Sequence, residues 1–299
     1  MVRKLISLAL CTVLISTSVP AIAGGPPAYV PQSFTTAAQT RAVRVVVAQG
    51  EIKSNINGSN LGIIMGGGLL GGLIAAAQNS AREKKAEGLI TPIRDGIVDL
   101  DIDALALKSA QQGLQGAAWL TGAATTFGKD NSPAGMSGIL DTTAADQTVF
   151  VEYTYDLSPN FDSLRLFENV FVANKALPVQ AGKVFKPEER IKPKYLAYSR
   201  QVTAAVMLPG ADPKNKEANA ALWAADHGAL VRRALAQAFA KTAELFPRTL
   251  ALSEEQGKAL NNKAQPRRNF EGLSGRLIEE TGNGMLFWAN QFVSVEKLI

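Results

Sequence analysis

Thr148-Val149-Phe150-Val151-Glu152-Tyr153-Thr154-Tyr155 is the stretch on which the reading of the fold turns. Val149, Val151, Tyr153 and Tyr155 alternate with Thr148, Phe150, Glu152 and Thr154, which is the two-residue period of a β-strand. Ser158-Pro159-Asn160 follows as a loop, and a second alternating run covers Leu164 to Val172, so the pair reads as antiparallel strands. A third strand is expected within Tyr195 to Leu208, reached through the Pro- and Lys-bearing connection from Pro178 to Lys194.

C-terminal to these strands, Asp212-Pro213 supplies an N-cap and a first-turn proline for a long helix expected to stop near Phe246, before Pro247. Ala224, His227, Val231, Leu235, Ala238, Thr242 and Leu245 recur at three and four, an apolar stripe that should pack on the sheet. Gly275 to Glu280 and Met285 to Val295 flank Thr281-Gly282-Asn283-Gly284, whose Asn-Gly pair signals a hairpin. The fold class expected is α+β, an antiparallel sheet packed against long helices. Residues 147–299 form its C-terminal part.

N-terminal to the strands, residues 41–146 read as one strand over Arg41 to Ala48, then helical stretches from Ala81 to Val98 and Ile102 to Leu120. Pro92 is expected to make the first of them either two short helices or one with a kink. Thr121 to Asp146, rich in Gly, Thr, Asp and Pro, reads as a long loop. Residues 24–40 carry Pro26, Pro27 and Pro31 without periodicity and read as an extended tether.

Residues 1–23 have the form of a secretory signal peptide: basic Arg3 and Lys4, an apolar run from Leu5 to Ser16, and Ala21-Ile22-Ala23 before the expected cut at Gly24. Cleavage would leave 29 basic against 26 acidic residues, a net charge of about +3, and would remove Cys11, the sole cysteine. So small an excess, without a dense basic run, gives no footprint for nucleic acid. Without cysteine there is no disulfide framework and no thiolate ligand.

Leu61 to Ala77 is seventeen residues without a polar side chain, six of them glycine. In helical spacing they give the rows Gly67-Gly71-Ala75 and Gly68-Gly72-Ala76, extended by Gly62 and Gly66. Each interior glycine costs a solvated helix about 1 kcal/mol relative to alanine, whereas small residues every fourth position let two backbones approach closely. The segment therefore makes energetic sense beside a neighbour. That neighbour can be a second copy, a membrane met from the exported side, or the protein's own fold. A single span is the remaining reading, but Arg82, Lys84 and Lys85 would then place the rest of the chain in the cytoplasm, against the signal peptide.

Residues that could carry chemistry are few. Asp99, Asp101 and Asp103 alternate, yet an EF-hand loop counted from Asp99 needs Gly at 104 and Glu at 110, where Ala104 and Ala110 stand. His227 beside Asp226 is the only histidine, and on an apolar stripe it is expected to be a core residue rather than a base. No nucleophile elbow, phosphate loop or His-Glu-x-x-His occurs. We expect no catalytic residues, no metal and no cofactor.

The signal peptide, the glycine-rich segment with its basic continuation and the later strands resemble, over residues 1–98, exported or lipoprotein-like envelope proteins of Gram-negative bacteria. The resemblance implies a periplasmic or envelope location and carries no active site. The function expected is non-enzymatic: a homo-oligomer or partner of a membrane or envelope component, joined through Gly62, Gly66, Gly67, Gly68, Gly71, Gly72, Ala75 and Ala76. The rival expectation is a soluble periplasmic ligand-binding protein with its pocket between the sheet and the long helix.

Overall fold

β-Branched and aromatic residues dominate Gln147–Leu157 and Ser163–Asn174, and they pair antiparallel along their whole length, from Gln147 against Asn174 to Leu157 against Leu164. The computed structural model that contains this ladder describes residues 29–31, 34, 39–54, 80–177, 185–261, 266–270 and 273–299. Residues 1–23, read from the sequence as a signal peptide, and Leu61–Ala77 lie outside the described residues. In chain order the strands are β1 (Arg41–Val46), β2 (Lys53–Ser54), β3 (Ala124–Gly128), β4 (Gln147–Leu157), β5 (Ser163–Asn174), β6 (Tyr198–Met207), β7 (Arg267–Phe270), β8 (Leu273–Thr281), β9 (Gly284–Trp288) and β10 (Phe292–Lys297). The helices are α1 (Ser80–Asp95), α2 (Ile102–Leu114), α3 (Pro133–Thr142), α4 (Lys216–Leu250) and α5 (Glu254–Leu260).

The fold is α+β, but its sheet is mixed. The order is β3-β1-β4-β5-β6-β10-β9-β8-β7, with β2 alongside the end of β4. β1 lies parallel to both β3 and β4, β2 is parallel to β4, and β10 is parallel to β6. The expectation of an antiparallel sheet is corrected at these places. The cause is topological: α1 to α3 carry the chain back between β1, β3 and β4, so these strands restart in the same direction, and β2 continues the line of β1 along β4. After α4 the chain instead enters β7 opposite to β6, and three antiparallel steps bring β10 parallel to β6. The hairpin at Gly282-Asn283 is present, closing β8 on β9 with Thr281 opposite Gly284.

β4 and β5 are buried on both faces, which their alternation does not announce. One face, bearing Val149, Val151, Tyr153, Leu164, Leu166 and Val170, packs with α1, α2 and α4 in the main core. The other face bears Phe150 and Phe171, stacked at 5.0 Å, under Met136 and Leu140 of α3. α3 replaces part of the loop expected over residues 121–146. Its signal was in the sequence, because Ser132 caps the Gly135 N–H and Pro133 occupies the first turn.

Three helix boundaries depart from the sequence reading. α1 is one helix with Pro92 inside it, one of the two alternatives expected, but it ends at Asp95 instead of Val98. α4 starts at Lys216, capped by the Asn215 side chain, while Pro213 stays in the preceding turn. It also continues past Pro247 to Leu250. Gly116 makes room for that proline: a Cβ there would lie 2.5 Å from the Pro247 ring.

Three residues of the stretch read as a tether are docked. Tyr29 lies against Gly257 of α5 and under the Arg200 guanidinium of β6, which also covers Trp288 of β9. Phe34 is buried against Trp119, with ring centroids 5.3 Å apart, at the start of β1. Between them in the chain, Val30 packs on the main core.

Candidate functional site

The residues singled out in Leu61–Ala77, namely Gly62, Gly66, Gly67, Gly68, Gly71, Gly72, Ala75 and Ala76, lie outside the described residues. Their anchors are described. On the N-terminal side, Lys53 and Ser54 pair with Asp156 and Leu157 at the end of β4. On the C-terminal side, α1 buries Ala86, Ile90 and Ile93. Arg94 ties the two together: its Nε donates to the Ile52 carbonyl at 3.0 Å and lies 3.3 Å from the Glu51 carboxylate, and it is paired with Glu87. Because α1 is sixteen residues long, its first residue stands about 20 Å from that clamp. No described helix is long and apolar enough to cross a membrane.

Asp226 and His227 occupy a break inside α4. Ala225 is extended, and Asp226, His227 and Gly228 are all left-handed, with φ of 50°, 53° and 71°. The break resets the helical phase, so His227 is exposed instead of joining the buried stripe. The loop after α1 braces it: Gly96 abuts Gly228, where any Cβ would come 2.9 Å from the backbone nitrogen. Arg232 donates to the Gly96 carbonyl at 2.9 Å and to Asp99. The break is thus a packed corner held by backbone contacts. Left-handed backbone at a non-glycine residue costs about 1–2 kcal/mol. His227→Gly is therefore expected to raise stability by about 0.5–1 kcal/mol after its own chain-entropy cost, measured by urea unfolding. A loss of stability would mean that the imidazole makes a contact that outweighs the strain.

The three alternating aspartates diverge. Asp99 pairs with Arg232, Asp101 caps α2 by accepting from the Ala104 N–H at 2.9 Å, and Asp103 pairs with Lys129. Among the described residues no group of three His, Cys, Asp or Glu side chains is placed to hold a metal.

The space between the sheet and α4 is filled. Trp223, Val231, Leu235, Phe239 and Phe246 are buried there, and Phe239 lies 5.3 Å from Tyr153. Within this layer is a polar chain that composition did not reveal. Tyr153 donates to Glu168 at 2.7 Å, Tyr153 and Ser109 hydroxyls are 3.3 Å apart, and Ser109 donates to the Phe239 carbonyl at 2.9 Å beside Thr242. None of the four side chains is more than 2 % exposed. Burial pushes the Glu168 carboxyl up to about 8, opposed by the Tyr153 hydrogen bond, and its Oε2 has no partner. Glu168 therefore carries a proton at neutral pH. Enclosure makes this chain a joint between β4, β5, α2 and α4 rather than a place for substrate.

A cleft of about 250 Å³ opens at the start of β1, lined by Gln39, Thr40, Arg41 and the run Trp119 to Ala123. Arg41 donates through Nε to Gln147 at 3.0 Å and through Nη1 to the Trp119 carbonyl at 3.2 Å. Its guanidinium lies 5.5 Å from the Phe34 ring centre and 5.4 Å from that of Trp119. Two donors in this wall, Arg41 Nη2 and Trp119 Nε1, are buried and without a partner. Burial draws the guanidinium below its ordinary value, opposed by the charge of Asp146, which itself accepts from the Thr40 N–H and hydroxyl. Arg41 and Trp119 are far apart in the chain, and only an arginine opening a β-branched run hinted at this site.

No protein-family model, curated protein or solved structure matches the chain.

Proposed function

We propose that the protein is an exported, non-enzymatic component of the cell envelope whose sheet core holds Leu61–Ala77 for contact with a membrane or with a second copy. The observation that supports this most directly is the clamp at Arg94, which joins the chain before the segment to the helix after it. Fixing the chain on both sides of an apolar segment lowers the entropy lost when that segment meets a partner. The small-residue rows supply the surface for close backbone approach. The described core is spent on packing, and its one histidine stands at a helix corner.

The test replaces Gly67, Gly68, Gly71 and Gly72 together with Leu. The expected outcome is a shift to smaller species in analytical ultracentrifugation, or movement of the protein from membrane to soluble fractions. Wild-type behaviour in both assays would overturn the reading.

A further inference from the structure

The two edges of the sheet differ in chemistry. At one edge β7 carries Arg267 and Arg268, both exposed, and charged side chains along an edge discourage further pairing. At the other, β3 has no charge, no proline and no bulge against β1, and its Thr125, Thr126 and Phe127 are residues that favour a paired strand. Among the described residues no strand lies outside β3. Its main-chain groups divide between two directions. The Val47 N–H donates to the Gly128 carbonyl at 3.1 Å, so Gly128 and, by the alternation of a strand, Thr126 and Ala124 bond towards β1. The N–H and carbonyl groups of Thr125 and Phe127 therefore point out of the edge. The Ala124 and Thr126 side chains are exposed on one face, while Phe127 packs against the main core on the other.

This edge is complementary to itself. An antiparallel copy centred on Thr126 sets Thr125 opposite Phe127 of the second copy, and their outward N–H and carbonyl groups bond reciprocally. On one face each Phe127 ring meets a threonine, and on the other the Thr126 side chains meet at the axis, both favourable pairings across strands. Lys129, held by Asp103 and 5.5 Å from the Phe127 ring centre, falls opposite Ala123 of the second copy, so no like charges face each other. We propose that two copies of this chain pair through the outer edges of β3 about a two-fold axis at Thr126, which joins their sheets into one. The contact is smaller than the ~800 Å² per partner of a standard stable interface, so the dimer is reversible at micromolar concentration. It is independent of the role proposed for Leu61–Ala77.

Thr125→Pro removes an outward N–H and leaves the bonds to β1 in place, a change that edge strands tolerate. Sedimentation velocity across the micromolar range should show a concentration-dependent dimer for the wild type and a dissociation constant about tenfold higher for Thr125→Pro, because symmetry removes a bond on each side of the axis. Cysteine substitution tests the register in a Cys11→Ser background. Facing Cα atoms at Thr126 stand about 4.5 Å apart, within reach of a disulfide, whereas the two Ala124 positions are displaced by about 13 Å along the strands. Mild oxidation should therefore give a covalent dimer for Thr126→Cys and none for Ala124→Cys. A wild type that stays monomeric, a dimer indifferent to Thr125→Pro, or crosslinking that does not favour position 126 would each overturn the contact. Association that survives Thr125→Pro but is lost when the four glycines become Leu belongs to Leu61–Ala77, and overturns this contact while leaving that role intact. If Thr125→Pro does not fold, the crosslinks decide the matter.

Discussion

At pH 9 the Glu168→Gln variant is expected to unfold at a markedly higher urea concentration than the wild type, whereas at pH 4.5 the two should nearly coincide. Glu168 has a carboxyl pushed up to about 8 by burial, against about 4.3 for glutamate in an unfolded chain. The folded protein thus holds this proton more tightly than the unfolded chain. Stability is highest below the unfolded value, declines as pH rises between about 4.3 and 8, and the loss attributable to this group levels off above 8. At about 1.4 kcal/mol per pKa unit, the gap between variant and wild type should approach roughly 3–5 kcal/mol on that plateau. Glutamine keeps an oxygen for the Tyr153 hydroxyl and cannot ionise. Parallel pH profiles for the two proteins would show that Glu168 does not ionise against the fold.

The second large effect is expected at Trp223. Its ring is fully buried between α4 and the β4–β5 turn, and its Nε1 donates to the Phe161 carbonyl at 2.8 Å. Phe161 itself is left-handed, with φ of 55°, so this bond holds a strained turn closed. Trp223→Ala should cost about 3–5 kcal/mol through the cavity and lost burial, lowering the melting temperature by roughly 10 °C. Trp223→Phe keeps most of the packing and should cost about 1–2 kcal/mol, mainly from the unpaired carbonyl. Equal losses in the two variants would assign the effect to the hydrogen bond alone.

The β4–β5 hairpin was readable because its ladder is local: eleven consecutive pairs connect residues close in the chain. The parallel contacts were not. Phe292-Val293-Ser294-Val295 carries a strand pattern, but nothing in those residues names β6 as the partner, since the pairing is set by how the chain returns through α4 and then folds back and forth from β7 to β10. α3 could have been found from Ser132-Pro133, and was masked by the Gly and Thr around it. The break in α4 left almost no trace. Asp226 and His227 are ordinary helix residues, and only Gly228 permits the left-handed turn that Gly96, more than a hundred positions earlier, makes room for.

For the Arg41 cleft the difficulty was of another kind. Arg41 reads as a charged residue at a strand end, and Trp119 as one apolar residue of a helical stretch. Their meeting requires β1 to enter the sheet between β3 and β4. Hydropathy cannot register a donor that lacks an acceptor. It appears only when every polar atom around it has been accounted for.

The position of β10 sets a condition on how the molecule can be made. Residues 292–297 fill the gap between β6 and β9, so a strand far along the sequence from β6 is an interior member of the sheet. Until it arrives, the sheet is two separate ribbons, each with an unpaired rim that invites association with other chains. Tyr29 adds a second demand, because its seat is built from Gly257, Arg200 and Trp288. The beginning of the chain therefore has nowhere to settle before nearly all the rest has been delivered. Such dependence on distant contacts slows folding.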